Sequence, residues 1–131
     1  MRPDRTTAVK FFDRYDRFCR EPQIYQILDA EGITSIAGHN VPRLIAANDS
    51  LRAIEMTIVE RPFILDFAGA RAPDEIPDFE EHVIQEHLER LRESFGDRWS
   101  HALHVTEMFR QATGFTLLDI HPGNIAFEDR E

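Results

Sequence analysis

The chain has one cysteine, Cys19, which excludes an internal disulfide and a cysteine-ligated zinc site and fits a reducing compartment. It is also short of positive charge. Fifteen Lys and Arg stand against 24 Asp and Glu, a formal net charge of -9, so the surface as a whole repels phosphate backbones and anionic lipid. Nucleic acid and membranes are therefore not expected as partners. No apolar run approaches the length of a membrane span, and residues 1–7 lack the apolar centre of a signal peptide, so the expected location is the cytoplasm. Internal repeats and low-complexity tracts are absent.

What remains is 131 residues with 42% hydrophobic content, enough to bury the core of one domain. Residues 6–12 are rich in β-branched and aromatic side chains around Lys10, which predicts a strand presenting Lys10 on one face. Residues 13–20 are charged and compatible with helix or loop. Ile24, Ile27 and Leu28 follow at the spacing of an apolar helix face, with Pro22 suited to the first turn and Gly32 to the end. Gly38, His39 and Asn40 read as a loop. Residues 41–47 and 51–59 are strand-like on either side of Asn48-Asp49-Ser50, which predicts an antiparallel pair.

Residues 63–68 form an apolar patch of undetermined state, and residues 69–77, with Pro73 and Pro77, read as a linker. Beyond it, Asp78 is a good N-cap, and Phe79, Val83, Ile84, Leu88, Leu91 and Phe95 recur at helical spacing up to Gly96. A second helix is predicted from about Ser100 to Thr113, with Leu103, Met108, Phe109 and Ala112 inward and Gly114 as its stop. The expected class is α+β, one domain in which residues 1–68 make a small antiparallel strand lobe with one helix and residues 78–131 a mainly helical lobe.

The most specific stretch lies near the end. Residues 117–127 read as a short apolar strand, a tight polar turn and a second apolar strand, with Asp119 and Asn124 at the two ends of the turn. A carboxylate there can hold a proton and an amide oxygen can ligate a metal ion. The same residue types also make a purely structural turn, in which Asp and Asn bond their own backbone and Pro122-Gly123 supply the bend.

Asp119-Ile120-His121-Pro122-Gly123-Asn124 resembles the catalytic loop of the protein-kinase-like fold, in the form used by aminoglycoside phosphotransferases and choline kinases. Ala8-Val9-Lys10 is similar to that fold's strand-three lysine motif, and Glu21 falls where its helix glutamate is expected. The resemblance follows the order of elements through most of the chain but is specific only at the six-residue turn. It implies that Asp119 is the catalytic carboxylate, that Lys10 and Glu21 bind the nucleotide, that Asn124 ligates the metal, and that the cofactors are ATP and magnesium.

Three departures shape the expectation. Residues 1–5 are too few for a glycine-rich hairpin before the lysine strand, Leu117 stands where a histidine usually braces the loop, and the sequence ends at Glu131, before a second metal aspartate. Glu128 and Asp129 read as a solvated tail. The expectation is an incomplete kinase-like domain, a pseudokinase or weak nucleotide-binding regulatory module. Its alternatives are a phosphotransferase completed by a second subunit and a non-catalytic interaction domain. A nucleotide, and a protein partner or second copy, are the partners this implies. The six histidines and the charged face of residues 80–93 carry no defined ligand motif.

Overall fold

The computed structural model describes residues 7–118 and 120–127. The chain is mixed α and β, with small, mostly antiparallel sheets and a helical pair towards its C-terminal side. Strand β1 (Thr7–Phe11) leads into helix α1 (Tyr15–Ala30), followed by the two-residue strands β2 (Ser35–Ile36) and β3 (His39–Asn40). Strands β4 (Leu44–Asn48) and β5 (Ala53–Thr57) form the expected antiparallel pair, and β1 pairs antiparallel with the other side of β5. Strand β6 (Phe63–Ile64), a 3-10 turn at Phe67–Gly69 and β7 (Ala70–Arg71) precede the long helices α2 (Glu81–Phe95) and α3 (Trp99–Thr113). Strands β8 (Thr116–Leu117) and β9 (Ile125–Ala126) complete the described chain.

Helix α1 starts earlier than expected. Pro22 sits inside the helix rather than in its first turn, which costs about 3 kcal/mol because an amide donor is lost. Burial of Phe18, Pro22, Ile24, Tyr25 and Leu28 along this helix offsets that cost. The Gly38 region is a hairpin rather than a loop, with Ala37 and Gly38 both at positive φ between β2 and β3. The apolar patch at 63–68 resolves into β6 and the start of the 3-10 turn, and residues 70–71 of the expected linker pair as β7 with β8.

The two strands flanking the polar turn do not pair with each other. Strand β8 joins β7, while β9 joins β6 in a sheet of order β2-β3-β6-β9, so the turn bridges two sheets and is not a hairpin. The core is centred on Phe67, whose ring stacks on Phe109 of α3 at 5.3 Å and meets Tyr25 of α1 edge-on at 5.2 Å. Ile24, Ile54, Ile64, Val105 and Ile125 close around it. Arg20 ties α1 to the segment after β7. Its guanidinium donates to both oxygens of Glu75, at 2.7 and 2.6 Å, and lies over the Phe115 ring.

Helix α2 departs from its pattern more than any other element. Of its predicted inward residues Phe95 is buried, whereas Val83 and Ile84 remain 38% and 43% exposed. In α3 the inward residues are Ala102, Val105 and Phe109, while Leu103 faces outward. Among the described residues no helix is long and apolar enough to cross a membrane.

Candidate functional site

Strand β1 alternates its side chains, leaving Val9 and Phe11 exposed and turning Lys10 inward. The Lys10 ammonium donates to Glu21 Oε1 at 2.8 Å and to Asp66 Oδ1 at 2.8 Å, and lies 5.0 Å from the centre of the Phe12 ring. Glu21 is fully buried in α1, and its Oε2 accepts the Tyr25 hydroxyl at 3.3 Å one helical turn on. Burial works against the Lys10 charge, but the Glu21 and Asp66 carboxylates outweigh it and hold the lysine above its ordinary pKa. Burial, and then the Glu21 charge, push the Tyr25 phenol far upward, so it stays protonated and has a hydrogen to donate to Glu21. Glu21 is helical although it precedes a proline, a position that normally disfavours that conformation.

Asp66 was not singled out by sequence reasoning. It caps the 3-10 turn before Phe67 in a left-handed conformation, φ 71°, which costs a non-glycine residue on the order of 1 kcal/mol. Its neighbour Leu65 donates its amide to the Asn124 carbonyl at 2.8 Å, continuing the β6–β9 pairing of Ile64 with Ile125. Lys10 is thereby linked to the polar turn through two adjacent residues, Asp66 and Leu65. The signal that could have drawn attention here is compositional: Lys10 is the only lysine of the chain, and every other strong cation is arginine.

The turn is closed on itself. Asn124 is 4% exposed, and its Oδ1 accepts the His121 amide at 3.0 Å while its own amide donates to the His121 carbonyl at 3.0 Å. His121 Nδ1 accepts the Gly123 amide at 3.0 Å. A Cβ at position 123 would lie 2.7 Å from His121 Cε1, so a larger residue there would have to displace the imidazole from its place beside the Gly123 amide. Asp119, expected as the catalytic carboxylate, and Glu128 and Asp129, expected as a solvated tail, lie outside the described residues.

A pocket of about 270 Å³ opens beside the lysine, lined by Lys10, Asp13, Arg14, Arg17 and Asp66 with neighbouring apolar groups. Its cations fit the phosphate end of a nucleotide. The fit to magnesium is narrower, because one lone pair of Asn124 Oδ1 is committed to His121, and no group of three or more His, Cys, Asp or Glu among the described residues is arranged to hold a metal ion. The residues of this pocket that would hold a nucleotide are Lys10 and Arg17, because the Arg14 guanidinium is paired with Asp16. Comparison with protein-family models, curated proteins and solved structures returns no match.

A second, separate pocket of about 500 Å³ is lined by His39, Asp97, His101 and Phe127 among others. His39 Nδ1 faces the Ala37 carbonyl at 3.3 Å, while Nε2 is buried and has no hydrogen-bond partner among the described residues. Burial holds this imidazole below its ordinary pKa of 6.5; the Ala37 bond opposes that shift and the nearby His101 reinforces it. The folded state therefore binds protons at His39 less readily than the unfolded chain. Its contribution to stability is complete above about pH 6.5 and is lost as the pH falls through the lower, folded value. Thermal melts between pH 7.5 and 5.5, ~2 units, are expected to show a smaller loss of stability in His39→Phe than in the parent chain. Parallel curves would show that His39 is not the group responsible.

Proposed function

We propose that the chain is a small kinase-like module that binds a nucleotide with its magnesium and transfers phosphoryl groups poorly by itself. The observation that carries this reading is the fully buried Glu21 carboxylate holding the only lysine of the chain at 2.8 Å, beside a pocket with two arginines. A buried carboxylate is costly to maintain without a partner, and a strand lysine aimed by a helix glutamate is the arrangement that directs an ammonium at a nucleotide's inner phosphates. The Asp119–Asn124 turn supports the same reading by resemblance, and Asp66 connects it to the lysine. In this reading the strands and α1 form the nucleotide-binding lobe and the helical pair the second lobe.

A protein-interaction role is the second reading. It is favoured by the exposed apolar side chains Phe79, Val83 and Ile84 around the start of α2 and by Val9 and Phe11 on edge strand β1. The single lysine separates the two by experiment. Magnesium–ADP at roughly ten times its Kd stabilises a binding protein by about 1.4 kcal/mol, so the melting point is expected to rise with nucleotide. Acylation of Lys10 by an amine-reactive reagent, followed by mass spectrometry, is expected to slow in parallel. A chain that shows neither effect at millimolar nucleotide is not a nucleotide-binding module, and the interaction reading takes its place.

A further inference from the structure

We infer that Arg17 is the residue that clamps the phosphate end of the nucleotide, a specificity that rests on the proposed nucleotide site. The argument is one of elimination within the pocket beside β1. Lys10 already donates to two carboxylates, so its charge is matched before any ligand arrives. Arg14 is engaged too, its Nε and one terminal nitrogen donating to the two oxygens of Asp16 at 3.1 and 2.7 Å. Among the described residues Arg17 is the third cation of this lining, and its guanidinium makes no ion pair. It stands in the first turn of α1, a 16-residue helix whose N-cap residue, Arg14, provides no side-chain cap.

A guanidinium carries five donors in a planar fork that matches two phosphate oxygens, and its charge is weakly hydrated, so it gives up water for an anion more readily than an ammonium does. Lys10 and Arg17 thus divide the work. The lysine is rigid, held by a buried partner and suited to fixing position, whereas the arginine is half-buried, makes no ion pair among the described residues and supplies net attraction. Asp13 and Asp66 line the same pocket, so its walls carry both signs. A magnesium–polyphosphate presents both signs in return, whereas a bare anion does not.

Titration calorimetry with magnesium–ADP, magnesium–tripolyphosphate and adenosine, on the parent chain, Arg17→Gln and Arg14→Gln, tests the assignment. Arg17→Gln is expected to weaken magnesium–ADP and magnesium–tripolyphosphate by roughly tenfold or more and to leave the far-UV spectrum and melting point unchanged. Arg14→Gln is expected to change both affinities by about twofold or less, since its charge is already paired. Equal binding of magnesium–tripolyphosphate to the parent and Arg17→Gln overturns the role of Arg17 while leaving the nucleotide site intact. If the parent binds tripolyphosphate but no adenosine-bearing ligand, and Arg17→Gln abolishes that binding, the nucleotide reading fails and the phosphate clamp stands. A parent chain that binds none of the three overturns both.

Discussion

Lys10→Met is expected to cost about 3–5 kcal/mol of folding stability, far more than a half-exposed lysine on an edge strand would normally contribute. The reason lies in what remains. Glu21 is fully buried, and its Oε1 takes its charge-assisted bond from Lys10 at 2.8 Å, so removing the lysine strands a carboxylate in the core between α1 and the 3-10 turn. Asp66 would suffer less, because its side chain is 40% exposed and water can replace the lysine there. The double variant Lys10→Met/Glu21→Leu is therefore expected to recover most of the loss and to lie within roughly 1–2 kcal/mol of the parent. Urea unfolding of the two single variants and the double completes the cycle. If Lys10→Met alone loses less than about 1 kcal/mol, Glu21 has access to water and the buried pair is not what organises this site.

That pair also explains why the start of α1 was not legible in the sequence. A buried glutamate at position 21 interrupts the apolar face formed by Phe18, Ile24, Tyr25 and Leu28, so periodicity emerged only beyond Pro22. The chain's most polar functional group is thus placed where pattern reading looks for apolar residues. The β4–β5 pair was readable because each strand is five residues long and the turn residues stand between them. Two-residue strands such as β2, β3, β8 and β9 carry no usable alternation, and the pairings of β3 and β9 with β6 and of β8 with β7 join segments far apart in sequence. In α2 the periodicity gave the helix but not its burial, because Val83 and Ile84 reach beyond the elements available to cover them. Lys10, Glu21 and Asn124 could be named as candidates from motif spacing. Asp66 and Arg17 could not, since their relevance comes only from where β6 and α1 place them.

Phe67→Ala is expected to destabilise the chain by about 3–5 kcal/mol and to disturb the site together with the core. Phe67 is fully buried, stacks on Phe109 at 5.3 Å and meets Tyr25 at 5.2 Å, so it joins α1 to α3. It also directly follows Asp66, whose left-handed conformation persists because the residues on either side are fixed, Leu65 by its bond to Asn124 and Phe67 by its packing. Emptying the Phe67 site leaves a cavity and removes one of those two restraints. Lys10 acylation is then expected to accelerate under conditions where the variant is still folded, because Asp66 holds the ammonium less firmly. Phe67→Leu keeps most of the volume and is expected to cost less than half as much while leaving Lys10 nearly as protected, as the aliphatic ring replacement still packs against Phe109. Thermal melts give the stabilities, and mass spectrometry of the single acylated lysine gives the protection. Should Phe67→Ala fall in stability without changing Lys10 reactivity, then the 3-10 turn supports the core alone, and the hold on Lys10 comes from Glu21.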